Sequence, residues 1–482
     1  GVLVEDERLA AEIANLLESP VVIGGAFDPV FLELPREVIV TALRSHQRYF
    51  SVEGQDGSLL PRFVAFADGA RANRSGIARG YERVLHARLA DAAFYYREDT
   101  SLPLERTAAR LDGIVWLEGL GTLAEKARRT AALADWIASE WRPDDDDLAE
   151  RIARAALLAK ADIASEMVKD GKEFTLLQGY IGREYARVSG EDGEVAEAIF
   201  EHYLPRFAGD RLPATAAGTA LALADRLDTI CGCVLRGFEP TGSQDPYALR
   251  RAAAGIVRIS IEREVPLDLP AAVRRALAPF DIVAARSKRT AAEVEALVVD
   301  LLAQRLNTFL RGEGYDYDLV AAVLAAPWRF PRGAAAMARR LAEMRAQGTL
   351  PEFVLAFKRV VNILPKERRR PVGFEAGAAA LAEMAGIPGT FSPDLFREPA
   401  ELDLWREARS AGERLSALAA GEIENALEIL ARLRGPVNRY FDAVLVNCEE
   451  QALRENRLAF LLVLGTMAGY FCHFPEITAE QG

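Results

Sequence analysis

Cysteine and histidine are scarce, with four of each in 482 residues. Cys231, Cys233, Cys448 and Cys472 include no CxxC pair and no regular spacing, which excludes a disulfide framework and a zinc knuckle and leads us to expect a reducing, cytoplasmic setting. His46, His86, His202 and His473 stand singly, so a triad or a multi-histidine metal centre would require convergence over long sequence distances. GxxxxGK[ST], GxSxG and HExxH are all missing, which excludes a P-loop nucleotide hydrolase and gives no local signature of a hydrolase or zincin. An excess of basic residues is lacking too: 59 Lys and Arg face 71 Asp and Glu, for a formal charge of −12. There is thus no global attraction to nucleic acid or to an anionic membrane, and any such binding needs a local basic face. Long apolar runs are absent. The longest uncharged stretch, Leu458 to Pro475, contains two glycines and a histidine and falls short of the roughly 20 apolar residues of a membrane span. It reads as a buried helix. The first residues turn acidic at once, unlike a signal peptide, and the chain does not begin with Met, so it reads as a fragment.

What is present is half hydrophobic, enough for large cores, and the length suggests about three domains. Residues 1–110 read as a small α+β unit. Leu9, Ile13, Leu16 and Leu17 form a helical stripe, Val21-Val22-Ile23 a strand, and Pro35 opens a helix through Val38, Val40 and Leu43. Strands follow at 49–52 and 63–66 around the turn Gly54-Gln-Asp-Gly57. From 111 onward the pattern is almost wholly helical, so the expected fold class is a mainly α, multidomain protein.

Charge is uneven. Between Arg329 and Arg370 stand 11 basic and three acidic residues, the one strongly basic stretch, read either as a solvated helix face or as a phosphate-contacting surface. Gly119-Leu-Gly121-Thr-Leu-Ala124 mimics a dinucleotide fingerprint, but no further βα repeats follow, so we expect a turn before a helix. Asp162, Asp225 and Asp228 lie in apolar helical sequence, as metal ligands or as buried partners of arginines and helix ends. In Pro240-Thr-Gly-Ser-Gln-Asp245-Pro-Tyr-Ala-Leu-Arg250-Arg251, Asp245 is expected to cap a helix with Pro246 in its first position. Arg250 and Arg251 then leave its first turns, toward RNA phosphate or a partner carboxylate.

Together these strings resemble the β subunit of bacterial heterotetrameric glycyl-tRNA synthetase. The resemblance is carried in order by His46-Gln-Arg-Tyr-Phe50, Glu82-Arg-Val84, Leu120 to Lys126, Lys160-Ala-Asp162, Leu177-Gln-Gly179 with Gly182, and Glu201-His-Tyr203. It continues through Ala224-Asp225 with Asp228, the Pro240 to Arg251 string, Lys358 to Leu364, and Arg454-Glu-Asn-Arg457-Leu458. Tyr81 departs from an Asn usual in the family, and Lys169 to Lys172 resembles an insertion.

The resemblance implies a subunit that binds and positions tRNA(Gly) for ATP-dependent glycylation. ATP and Mg2+ would act at a separate alpha subunit in an alpha2beta2 assembly, with no cofactor or metal bound by this chain. It implies a further N-terminal region in family members. It also implies an HD-like helical domain at 111–290, a helical linker region at 291–345, and an anticodon-binding helical domain at 346–482. In the HD-like domain Ala161-Asp162 stands where a metal-binding His-Asp pair would be and Asp225 at a distant ligand position, with no histidine nearby, so both aspartates are expected as structural relics. The anticodon-binding resemblance assigns tRNA contact to Lys358, Arg359, Asn362, Arg454 and Arg457, beside Tyr440 and Phe441, with Arg250 and Arg251 as further candidates. The competing readings are an HD-type metal-dependent phosphohydrolase and a non-catalytic protein scaffold.

Overall fold

The computed structural model describes residues 1–45, 47–69, 73–169, 172–241, 244–280, 287–387, 389–418 and 425–478. It divides into two compact units, Gly1–Asp228 with Pro279–Arg286, and Thr229–Ala278 with Ser287–Gly482. The expected boundaries at 110, 290 and 345 do not coincide with this division.

The first unit opens with a four-stranded antiparallel sheet, β1 (Val2–Leu3), β2 (Pro20–Ala26), β3 (Phe50–Glu53) and β4 (Leu59–Asp68), in the order β1-β3-β4-β2. Alternation puts Val21 and Ile23 of β2 and Phe63, Ala65 and Ala67 of β4 in the core, with Val21 facing Ala67 and Ile23 facing Ala65. Helix Arg74–Thr100 packs against β2 and buries Leu85, Leu89 and Ala92, one stripe at helical spacing. Two neighbouring positions act here, Glu82 from the family-like string and Tyr81, which departs from it. The Glu82 carboxylate accepts from the Ala26 amide at 3.0 Å, and Tyr81 leans on Tyr49, which is stacked on Phe63. Tyr81 is therefore a packing residue. His46, Asp170 and Gly171 lie outside the described residues.

Helices Leu123–Trp141, Leu148–Leu158, Tyr180–Val188 and Gly193–Glu201 follow, with the front of helix Ala216–Leu235. The Gly119-x-Gly121 string is a capping turn, as expected. Gly121 takes φ +89°, and Thr122 and Glu125 exchange hydrogen bonds in a capping box that starts helix Leu123–Trp141.

The regular elements among the described residues of the second unit are helices, and one hydrophobic core runs from Val257 to Ile477. Helices Ala291–Gly312, Tyr317–Leu324 and Pro331–Ala346, expected as a linker, contribute Leu306, Leu310, Val323, Met337 and Leu341 to the same core as Phe353, Phe357, Phe460 and Phe474. Helix Gln451–Gly469 buries Phe460, Leu461, Leu464 and Met467, as the uncharged run predicts. Among the described residues no helix is long and apolar enough to cross a membrane.

Candidate functional site

The densest group of buried charge lies in the first unit, at the two aspartates that the sequence marks as relics. Its frame is local. Glu201 accepts from the backbone of Ala214 and Thr215 and from the Thr215 hydroxyl, which fixes the start of helix Ala216–Leu235 and so the height of Asp225 and Asp228 along it. Asp162, fully buried, accepts from the Gly179 amide. Gly179 holds φ +79°, and a Cβ there would come within 2.5 Å of the Tyr203 ring, which explains glycine at this position.

Lys126 and Arg129, one turn apart on helix Leu123–Trp141, meet the two aspartates. Lys126 Nζ lies 3.2 Å from Asp225 Oδ1 and 2.9 Å from Asp228 Oδ2, while Arg129 Nε donates to Asp228 Oδ1 at 2.7 Å. Lys160 Nζ reaches Asp225 Oδ1 from the other side at 3.2 Å and stands 4.3 Å over the Tyr203 ring. Burial alone would push the Asp225 carboxyl up, but Lys126 and Lys160 hold it well below the usual carboxylate range. Burial pushes the Lys160 ammonium down, against the pull of Asp225. Burial raises the Asp162 carboxyl to about 6, opposed by the Gly179 hydrogen bond.

One expectation is corrected here. A histidine does stand near Asp225: His202, buried between the helices, with Lys126, Thr130, Lys160 and Asp225 around a void of about 10 Å³. Its Nδ1 is 2.7 Å from the Ile199 carbonyl and must donate to it. Its Nε2 has no hydrogen-bond partner among the described residues. Burial, then the Lys160 charge, push its pKa well below the ordinary value, so the ring is neutral.

Bound metal does not fit this arrangement. A divalent cation needs several lone pairs aimed at one point, and the point between Asp225 and Asp228 is taken by the Lys126 ammonium. Among the described residues no group of three or more His, Cys, Asp or Glu side chains is placed to hold a metal ion. Sequence reading did not assign Lys126 and Arg129 to this group. The signal was an i,i+3 pair of cations on one helix and an i,i+3 pair of carboxylates, Asp225 and Asp228, on another.

A pH dependence follows. His202 is neutral when folded, whereas the unfolded chain protonates it below about 6.5, so the unfolded state binds the extra proton and stability falls as pH falls. Asp162 acts with the opposite sign between about 4, its unfolded value, and about 6. Between pH 7.5 and 6 the two effects oppose each other, so His202→Gln should remove the His202 part of the profile and leave the opposite slope of Asp162. Urea midpoints of both proteins across that range check this. Parallel pH profiles would contradict it.

In the second unit the expected RNA-contacting residues are not brought together. Lys358 Nζ donates to the Ile477 carbonyl at 2.6 Å. Arg359 lies 5.0 Å from the Phe441 ring and donates to Asn438 and Asp442. Asn362 is exposed at the end of helix Leu350–Asn362. Arg454, partly exposed, donates to the Cys448 carbonyl. Arg457, one turn on, is 4% exposed and its guanidinium is spent on both Glu401 oxygens, at 2.8 and 3.0 Å, and on the Leu445 carbonyl. Tyr440 is fully buried in the core, against Phe460. Arg457 and Tyr440 thus serve the interior of the bundle, correcting the expectation of a surface role. Helices Leu350–Asn362 and Gln451–Gly469 do pack together, but Gly465 meets Val360, two turns beyond Arg457.

At the Pro240 string the helix begins at Leu249, three residues later than expected, while the Asp245 carboxylate still accepts from the Leu249 and Arg250 amides at 2.7 and 3.0 Å. Gly242 and Ser243 lie outside the described residues. The Arg250 side chain is partly exposed and that of Arg251 exposed, and neither has a hydrogen-bond partner among the described residues.

Comparison with known proteins bears on this geometry. Residues 1–325 match the family model described as glycyl-tRNA synthetase beta subunit. A glycine–tRNA ligase beta subunit of Shouchella clausii is 39% identical over 477 residues, covering 98% of this chain and 65% of that protein. That of Moorella thermoacetica is 39% identical over 480 residues (99% and 66%), and that of Desulforudis audaxviator 40% over 468 residues (97% and 64%). The chain spans about 65% of the length of these relatives. A match of this extent, running through the sheet, the buried charge cluster and the front of the second core, places the chain in the glycyl-tRNA synthetase beta subunit family.

Proposed function

We propose that this chain acts in the cytoplasm as the tRNA-binding part of a glycine–tRNA ligase beta subunit, positioning tRNA(Gly) for glycylation at a separate alpha subunit in an alpha2beta2 assembly. ATP and Mg2+ are used at that alpha subunit. The helices around Asp162 and Asp225 are a degenerate HD-like scaffold, and residues 346–482 include the anticodon-binding helices. Lys358, Arg359, Asn362 and Arg454 remain candidates for tRNA contact, with Arg250 and Arg251.

The observation that carries this reading against the phosphohydrolase is the filled centre of the charge cluster. A phosphoester substrate needs a cleft of several hundred Å³ and a cation to polarise phosphate and water. Here the void measures about 10 Å³, and lysine ammonium groups take the place of a cation. The sequence also carries no adenylate-forming signature, which supports assigning amino-acid activation to another subunit.

The test is copurification with a candidate alpha subunit followed by a glycylation assay. The pair should charge tRNA(Gly), and the chain alone should give no glycine-dependent exchange of pyrophosphate into ATP. Exchange by the pure chain would overturn the division of labour.

A further inference from the structure

Several cations of the basic stretch between Arg329 and Arg370 are paired by tertiary contacts. Arg329 is paired with Asp268, and Arg340 with Glu343 and Glu428. Arg345 is paired with Asp316 and Asp318, and Arg359 with Asp442. Apart from Glu343, these acids stand far away in sequence and oppose charges that look unopposed along the chain.

The segment Lys366 to Arg370 is different. After Pro365 the chain makes a single 3-10 turn, Lys366–Arg368, with the Arg368 amide bonded to the Pro365 carbonyl. Arg369 folds back onto helix Leu350–Asn362 and donates to the carbonyls of Leu364 and Asn362 at 2.8 and 2.6 Å. A cation there satisfies carbonyls that the helix end leaves open, and it fixes the turn. Lys366, Arg368 and Arg370 are exposed and have no carboxylate partner among the described residues, and Glu367 is the one acid in the segment.

Arg368, Arg369 and Arg370 also border one pocket, whose remaining wall is mostly apolar, with Phe357, Val361, Leu364 and Phe474 among it, and no carboxylate borders it. Its volume is about 50 Å³, far below the roughly 300 Å³ at which pockets begin to hold a drug-sized molecule, so a ligand at this turn meets the exposed arginines at its rim and is not enclosed. Like charges crowded on one short turn repel one another, and a bound anion relieves that repulsion. Guanidinium forks match phosphate oxygens in a bidentate geometry.

We propose that this arginine turn holds a backbone phosphate of the bound RNA. Arg368 and Arg370 supply the contacts, and Arg369 acts as the positioning residue that fixes the turn. The proposal rests on the tRNA-binding reading above and adds to its candidates a phosphate contact at the turn that follows the helix of Lys358 and Arg359. A phosphate clamp positions RNA without reading sequence.

The test is the affinity of the 482-residue chain for a tRNA(Gly) transcript and for an unrelated RNA of equal length, across a salt series. R368A/R370A is compared with the parent chain, and thermal melting serves as the folding control. Both substitutions are on exposed side chains, so the melting temperature should not move. The double variant should weaken both RNAs alike and lower the slope of log affinity against log salt by somewhat under about 2, for two lost phosphate contacts. If the parent chain binds tRNA and the variant matches it in affinity and slope, the turn is wrong and the broader reading stands. If the parent chain binds no RNA at any salt, both are overturned. Inorganic phosphate separates a free-anion site: a stabilisation by phosphate that R368A/R370A abolishes, with RNA binding unchanged, also overturns the proposal. So does loss of alpha-subunit copurification with RNA binding unchanged.

Discussion

Asp225→Ala should lower the unfolding free energy by about 3–5 kcal/mol, the range for removing one partner of a buried ion pair. Read from sequence as a hydrogen-bonded relic, the same carboxylate would be worth about 1–3 kcal/mol. The larger value follows from its surroundings. Asp225 Oδ1 lies 3.2 Å from both Lys126 Nζ and Lys160 Nζ, and the side chains of the two lysines are 4% and 10% exposed. Deleting the carboxylate leaves two buried ammonium groups close together without the charge that opposed them. Chemical denaturation of Asp225→Ala measures the loss. A cost below about 1 kcal/mol, within the range of an ordinary surface pair, would mean that the cluster does not hold its charges as described.

Arg457→Ala should be the second severe substitution, again at about 3–5 kcal/mol, because Glu401 is fully buried and Arg457 supplies its opposing charge. Burial by itself would raise the Glu401 carboxyl, and the hydrogen bonds from Arg457 hold it below its ordinary value. Arg457→Lys should recover only part of the loss, since an ammonium cannot reproduce the two parallel bonds to the carboxylate together with the bond to Leu445. At temperatures where Arg457→Ala remains folded, its affinity for tRNA should equal that of the parent chain. A weaker affinity in the fully folded variant would restore Arg457 as an RNA contact.

Much of the architecture was legible in the chain because it depends on local periodicity. The alternation at Val21 and Ile23 and at Phe63, Ala65 and Ala67 announces the sheet. Apolar residues at helical spacing announce the helices, and the uncharged run after Arg457 announces a buried helix. The motif strings in order along the chain sufficed for the family. Their local tasks also followed from residue type, as at Asp245, which caps its helix even though that helix starts three residues later than expected.

Tertiary structure decided which charges are free and which are consumed, because that depends on partners supplied by other elements. Lys126 and Arg129 stand about 100 residues from Asp228, and Arg457 stands 56 residues from Glu401. A helical pattern places a polar residue on a face, but it does not say whether that face meets water, a carboxylate or a carbonyl. For that reason Arg454 and Arg457, equivalent by spacing, separate into a partly exposed side chain and a buried fastener, and His202, unremarkable in sequence, lies beside Asp225. The same cause pairs Arg329, Arg340, Arg345 and Arg359 within the basic stretch, whereas at the short turn 366–370 no carboxylate from elsewhere in the described chain reaches the exposed arginines. Periodicity is a property of neighbours along the chain, while charge compensation is a property of neighbours in space.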